Sequence, residues 1–345
     1  MQSREALPRA VAGNTCRMCK AGWMNRKGNI LVSGASGIVG YGILRNLKQT
    51  GYGLIGTTIY NNSPADCFSD VVEIVPRAKE DDYILCLLKL IDKYKIVMLV
   101  PGIEDDMIVW HNHRDDIERT GAILLLNNPE LISACEDKWL FYERLRDNNV
   151  GCRIESSLEA DYGKYGTPFI VKPRRGYGSK GIAIIRSEKD FEAYRERIGK
   201  DLMIQEYVGS DDDEYTVSCF FNRDSEICAA IAMKRKLSKG GYTEMAETTD
   251  FEQFSNTIGE LASIFHPLGP TNFQFRKDEK GWRLLEINPR ISSSTSIKAG
   301  FGYNECVIAV EYFLENRIIR QPKIRKGKSI RYTEDFFVYN DSADI

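Results

Sequence analysis

Histidine is scarce in this sequence, with three in 345 residues, His111, His113 and His266. That scarcity leaves little material for a Ser–His or Cys–His nucleophile pair or an imidazole-rich metal site, and no such set is visible. His111 and His113 alternate beside Trp110 and read as structural or surface residues. Net charge is also small, 47 Lys plus Arg against 49 Asp plus Glu. No basic field therefore favours nucleic acid or an anionic membrane as a partner. No apolar run approaches the ~20 residues that span a bilayer. The nine cysteines follow no framework spacing and read as reduced thiols of a cytoplasmic protein.

The first 27 residues carry Arg4, Arg9, Arg17, Lys20, Arg26 and Lys27 against one acid, Glu5, and show no periodicity. Pro8 and Arg9 interrupt the stretch from Ala6 to Gly13, which excludes the apolar core of ~7–15 residues that a secretory signal needs. A disordered leader is expected, with Met24 as an alternative start. Cys16 and Cys19 have the spacing of half a zinc site, but no second pair with that spacing follows.

What is present is ordinary globular material, 43% hydrophobic and 28% charged, long enough for two or three domains. From Asn29 an apolar strand (Ile30 to Ser33) leads into Gly34-Ala-Ser-Gly37-Ile-Val-Gly40 and a helix through Leu47. Further strands are predicted at Leu54 to Ile59, Ile96 to Val100 and Ala122 to Leu126, with a helix from Tyr83 to Lys93. This alternation implies a parallel sheet covered on both faces. After Pro129 the texture becomes mixed. A helix is predicted from Glu130 to Asn148, then strands Pro168 to Lys172, Ile182 to Ile185 and Met203 to Val208. An antiparallel pair (Tyr215 to Phe221, Ile227 to Met233) turns at Asn222 to Ser225, and a helix from Phe251 to Phe265 precedes a last hairpin, Thr271 to Arg276 with Trp282 to Asn288.

Three motifs carry chemistry. The cluster Gly34, Gly37, Gly40 after a strand suits either a phosphate cradle at a helix N-terminus or a tight structural turn. A dinucleotide site would also place an acid about 20 residues on, and Gly56 to Asn62 contains none. The second motif, Lys172-Pro-Arg-Arg-Gly176-Tyr-Gly178-Ser179-Lys-Gly181, lies between two apolar strands. It reads as a hairpin tip whose amides close over an anion while Lys172 supplies a point charge, or as a plain basic hairpin. The third is the last hairpin. If Arg276 pairs with Trp282, Leu284 lies opposite Gln274, and Gln274, Glu286 and Asn288 share one face. An acid and two amides on a face that should be apolar suggest oxygen ligands for Mg²⁺, and Arg290 follows at a distance suited to charge on a transferred group. Between these motifs, Glu206 stands near a strand end where it can accept from an adenine amino group, and Glu214 lies farther along toward ribose hydroxyls.

Read in order, these residues resemble the ATP-grasp superfamily, specifically the branch similar to the carbamoyl-phosphate synthetase large subunit. The matching segments are Glu136-Asp-Lys138-Trp; Lys172 to Ile182; Gln205-Glu-Tyr-Val208; Asp213-Glu-Tyr-Thr-Val217; Asn272-Phe-Gln-Phe275; and Leu285-Glu-Ile-Asn-Pro-Arg-Ile-Ser292, followed by Ser293-Ser-Thr. They span about residues 29 to 310 in family order. The resemblance implies an α/β and α+β chain: a Rossmann-like domain over 28–128, then an ATP-grasp domain over 129–330 whose two α+β subdomains clamp ATP. Its lid subdomain would be about 155–208, with a tail at 331–345. It further implies that Lys138 and Lys172 contact ATP phosphates beneath a lid of Gly176, Gly178, Ser179 and Gly181. Glu206, Tyr207 and Val208 would hold adenine, and Glu214, or Asp213 beside it, the ribose. Gln274, Glu286 and Asn288 would hold one or two Mg²⁺ (Mn²⁺ as a substitute), with Arg290 steadying the acyl phosphate and Lys234 and Arg235 near the γ-phosphate or the carboxylate substrate.

One copy of the unit is present where carbamoyl-phosphate synthetase needs two, so the expected activity is that of a single-copy carboxylate–amine ligase acting through an acyl phosphate on small-molecule substrates. The alternatives are an NAD-dependent oxidoreductase built on Gly34 to Gly40, and a nucleotide-binding protein or kinase of ATP-grasp type. Gly240-Gly-Tyr-Thr-Glu244 is expected as a loop near the acceptor site, and Glu104-Asp-Asp106 either faces an amine or is a solvated helix start. A homodimer is the commonest closed assembly for such a chain.

Overall fold

The computed structural model describes residues 27–337 apart from 177, 179 and 239. The expected leader with Cys16, Cys19 and Met24, the lid residue Ser179 and the end of the expected tail lie outside the described residues.

The first layer is a parallel sheet of β1 (Asn29–Val32), β2 (Gly53–Thr58), β3 (Val71–Ile74), β4 (Ile96–Val100) and β5 (Ile123–Leu124) in the order β3-β2-β1-β4-β5. Strands this apolar on both sides need cover on both faces. Helices α3 (Tyr83–Tyr94), α4 (Glu104–Asn112) and the short α5 (Arg114–Glu118) supply one face, around Leu31, Ile55, Leu87, Trp110 and Ile117. Helix α1 (Ile38–Leu47), with the short α2 (Ala65–Phe68), covers the other, where Ile30, Ile43, Leu44 and Ala65 are buried. The strand order reverses between β1 and β4, so the loops after these strands open a crevice at their carboxyl ends. Close packing there explains two glycines: a Cβ on Gly40 would lie 2.2 Å from the Gly34 carbonyl oxygen, and one on Gly102 2.1 Å from that of Ser33.

Next comes an antiparallel sheet of β6 (Ser156–Ser157), β7 (Phe169–Pro173), β8 (Ala183–Ile185) and β9 (Leu202–Glu206), ordered β6-β9-β7-β8, whose own small core joins Phe169, Val171 and Ile204 to Phe191 of the short helix α8 (Glu188–Glu192). The glycine-rich motif is the tip of the β7–β8 hairpin, as its flanking apolar strands require. The third sheet is antiparallel throughout: β10 (Glu214–Phe221), β11 (Ile227–Leu237), β12 (Thr243–Thr249), β13 (Gly269–Asp278), β14 (Gly281–Asn288) and β15 (Lys328–Ile330), ordered β14-β13-β10-β11-β12-β15. Helix α9 (Glu252–Phe265) covers one face through Phe254, Ile258 and Leu261. Helices α10 (Thr295–Gly300) and α11 (Glu305–Phe313) lie on the other face and also reach α1, which fastens this sheet to the first layer.

Three sequence expectations need correction. The helix expected from Glu130 to Asn148 is two, α6 (Pro129–Glu136) and α7 (Lys138–Asp147), broken because Asp137 caps α7 by accepting from the Trp139 N–H at 2.9 Å. Thr243 and Glu244 begin β12 rather than ending a loop. The β13–β14 register also differs. Trp282 pairs with Lys277, not Arg276, because the tight turn closes Asp278 on Gly281. A bulge beside Gln274 then shifts the ladder, so Glu286, not Leu284, stands opposite Gln274.

Candidate active site

A cavity of about 300 Å³ opens where the three sheets meet. The first layer contributes Ile38, Val39 and Glu104, from the crevice at the ends of β1 and β4. The hairpin sheet contributes Lys172, Gly176, Gly178 and Gln205, and the third sheet contributes Arg235, Gln274, Glu286, Asn288 and Arg290. Lys138, at the start of α7, completes the polar wall.

Two lysines meet here from different elements. Lys138 Nζ donates to the Gly176 carbonyl at 2.5 Å, and its backbone N–H donates to the Arg174 carbonyl at 2.8 Å, so the start of α7 is tied to the glycine-rich tip. An ion pair at 2.7 Å between Arg174 and Asp137 reinforces that tie. Burial disfavours the Asp137 carboxylate, but Arg174 and the Trp139 N–H outweigh it and hold its pKa below the ordinary range. Lys172 is buried, and its ammonium donates to Gln205 Oε1 at 2.8 Å; Gln205 in turn donates to Ser156 Oγ at 2.9 Å. Burial first, and the neighbouring Lys138 second, pull the Lys172 pKa down to about 7, with Glu286 opposing. A lysine held this way gains from an incoming anion, which restores the stability of its charged form.

On the opposite wall Gln274 and Glu286 face each other across β13 and β14. Gln274 Oε1 accepts from Arg235 Nη2 at 2.5 Å, and Asn288 Nδ2 donates to Glu286 Oε1 at 2.9 Å. Among the described residues no group of three His, Cys, Asp or Glu side chains is placed to hold a metal. One carboxylate with two amide side chains fits a hard divalent cation that completes its shell with water and phosphate oxygens, and does not fit zinc. Arg290 donates to the Ile291 carbonyl at 3.0 Å and to Glu104 at 3.0 Å, while its Nε is buried without a partner among the described residues. Cys135 also lines the cavity; burial, with Glu104 and Glu286 nearby, raises its pKa, so it stays a neutral thiol.

Several expected site residues stand elsewhere. Glu206 faces a second, charged hollow and pairs with Arg283 at 3.3 Å and Lys280 at 3.5 Å; Tyr207 and Val208 follow it, and none of the three lines the main cavity. Glu214 is buried, paired with Arg235 at 2.7 Å and Arg276 at 3.1 Å, so both carboxylate oxygens are engaged by guanidinium groups. Strand alternation separates the basic pair. Arg235 points inward to the cavity, whereas Lys234 pairs outside with Asp213 at 2.8 Å. Gly181 packs on Pro173 below the tip. Gln205 stands in one of the matching segments but carries no role in the sequence reading, although the rule that singled out Gln274, an amide on the inward face of an apolar strand, applies to it equally.

A doubly wound sheet, a glycine-tipped hairpin sheet and an antiparallel sheet ending in Glu-Ile-Asn-Pro-Arg, closed around lysines and oxygen donors, make up an ATP-grasp fold behind a Rossmann-like first layer. Residues 199–336 match the family described as "ATP-grasp in the biosynthetic pathway with Ter operon", and residues 38–125 match "PylC-like, N-terminal domain". Among curated relatives, a D-alanine–D-alanine ligase of Petrotoga mobilis is 30% identical over 95 residues, 27% of this chain and 32% of that protein. A carbamoyl phosphate synthase large chain of Methanosarcina barkeri is 25% identical over 284 residues, 73% of this chain and 26% of that protein. The chain thus spans about a third or less of the length of these relatives. Among solved structures, N5-carboxyaminoimidazole synthetase from Staphylococcus aureus complexed with ADP superposes with a TM-score of 0.70 at 15% identity, covering 87% of this chain and 80% of that one. That likeness is one of fold.

Proposed function

We propose that the chain is an ATP-dependent ligase that activates a carboxylate as an acyl phosphate and joins it to an amine. The observation that carries this is a single cavity with Lys138 and Lys172 on one wall and Gln274, Glu286, Asn288 and Arg290 on the other. Lys138 and Lys172 bind the ATP phosphates, and the glycine tip over them excludes water. Gln274, Glu286 and Asn288 would hold Mg²⁺, or Mn²⁺ in its place, which supplies neutralisation of phosphate charge. A carboxylate oxygen attacks the γ-phosphorus, the bond to the ADP oxygen breaks, and Arg290 stabilises the charge on the acyl phosphate. An amine then forms the C–N bond as phosphate leaves. No side-chain nucleophile is required, in keeping with the scarcity of histidine; positioning and charge carry the rate.

The likeness to a D-alanine–D-alanine ligase and a carbamoyl phosphate synthase large chain, and to the solved synthetase complexed with ADP, supports this reading. The oxidoreductase alternative finds no acid at the end of β2, where Thr57 and Thr58 stand. The test is release of ADP and phosphate in equal amounts when Mg·ATP is supplied with carboxylates and amines. ADP without free phosphate indicates a kinase, and ATP binding unaffected by Lys172→Met and Glu286→Ala together would reject the site. The proposal includes a homodimer, which light scattering reads directly.

A further inference from the structure

Of the three acids that open α4, only one faces the cavity. Asp105 turns toward Lys79, 3.7 Å away, and Asp106 is buried, accepting from the Tyr83 hydroxyl at 2.7 Å. Glu104 lines the cavity and meets Arg290 at 3.0 Å. It stands just past the carboxyl end of β4, at the reversal of strand order, where open α/β sheets take their ligands. The other carboxylates of the cavity are committed. Glu136 pairs with Arg175 at 2.8 Å, and Glu286 sits on the amide of Asn288 among the oxygen donors.

Resting on the ligase reading above, we propose that Glu104 is the catalytic residue that receives the acceptor amine as its ammonium and takes its proton. Before substrates bind, Glu104 and Arg290 neutralise each other. Once an acyl phosphate forms, its anionic oxygens compete for Arg290, and the Glu104 carboxylate is left facing the reacting carbonyl with no cation of its own. An ammonium is the group that fits beside it. The ammonium gives one proton to Glu104 and attacks the acyl carbon as the free amine. The C–N bond forms, the bond from the acyl carbon to the phosphate oxygen breaks, and the second nitrogen proton departs with the phosphate. Glu104 then returns its proton to water, so one ammonium and one acyl phosphate give one amide, one hydrogen phosphate and one proton. The substrate class follows: the acceptor is a primary amine charged at neutral pH, entering between the first layer and the third sheet.

The experiment separates proton removal from activation by using hydroxylamine, which is uncharged at neutral pH and needs no base. Wild type, Glu104→Gln and Glu104→Asp are supplied with Mg·ATP and each protein amino acid as carboxylate. Each is assayed once with hydroxylamine and once with the same amino acids as amines. Amide yield relative to hydroxamate is expected to fall about 100-fold in Glu104→Gln, within the range typical of a lost general base. The loss should shrink as pH rises toward the pKa of the amine, and Glu104→Asp should recover most of it. If hydroxamate and amide fall together in Glu104→Gln with no change in pH profile, Glu104 is only a brace for Arg290 and the proposal is overturned. If wild type makes neither product and releases no ADP, the ligase reading itself fails, which is a separate result.

Discussion

Replacing Lys172 by methionine should strengthen the ligand-free fold while destroying the site. Lys172 is 7% exposed, and its pKa is pulled from 10.5 to about 7. Between those values the unfolded chain carries a proton that the folded chain has released. Stability therefore rises with pH from about 7 to about 10.5, and near pH 7 the protein bears almost the whole penalty. At about 1.4 kcal/mol per pH unit, that penalty is at most roughly 4–5 kcal/mol. Methionine keeps the length and removes the charge, but it leaves Gln205 Oε1 without the donor that lies at 2.8 Å, a loss of about 1–3 kcal/mol. The expected balance at pH 7 is a gain of about 2 kcal/mol, or a few degrees in Tm. At pH 10 the gain should vanish or reverse, because only the lost hydrogen bond remains. Bound ATP has the opposite effect on wild type, since its phosphates restore the ammonium. Binding at pH 8 should take up a proton at Lys172, seen as a dependence of calorimetric enthalpy on the buffer's ionisation heat, and Lys172→Met should lose that uptake. A Lys172→Met protein that loses stability equally at pH 7 and pH 10 would refute the reasoning.

Other outcomes follow from the same contacts. Glu286→Gln removes the carboxylate from the oxygen-donor set, so Mg²⁺ should tighten ATP binding at least roughly tenfold less than in wild type, measured by titrating nucleotide with and without the metal. Gly40→Ala puts a Cβ 2.2 Å from the Gly34 carbonyl oxygen and should cost about 3 kcal/mol in denaturant unfolding, because backbone must move to admit it. Lys298 and Glu305 form a fully buried ion pair, and Lys298 also donates to Ser218 at 2.8 Å and Ser292 at 3.2 Å. Lys298→Met alone should cost about 3–5 kcal/mol by stranding Glu305, and adding Glu305→Gln should recover much of it, which thermal melting of the three variants will show.

The first layer was legible because its strands are short apolar runs spaced by helices, a pattern that survives any detail of packing; β4 was read to the residue. The hairpin tip was legible because glycines cluster between two apolar strands. What escaped depended on register and local capping. Nothing in Thr271 to Asn288 signals the bulge that brings Glu286 opposite Gln274, because a bulge leaves the composition of both strands unchanged. The split at Asp137 turns on one side chain accepting from Trp139 in place of a continuing helical turn. Strand β3 was missed because Val71–Ile74 is only half-buried and carries Glu73. In the site, the shared face of Gln274, Glu286 and Asn288 was read correctly from alternation, yet the same alternation was not applied to Lys234 and Arg235, where it assigns one outward and one inward. The arginines that pair with Glu206 and Glu214 were not legible, because the sequence of one strand does not tell which side chains lie across the sheet.

The most direct measurement follows the oxygen of the carboxylate. With a carboxylate that supports turnover supplied as its ¹⁸O form, phosphate released in unlabelled water should carry one heavy oxygen, because the acyl phosphate hands that atom to phosphorus when the amine displaces it. Phosphate released without label would mean that water, not the carboxylate, attacks ATP, and would contradict the account.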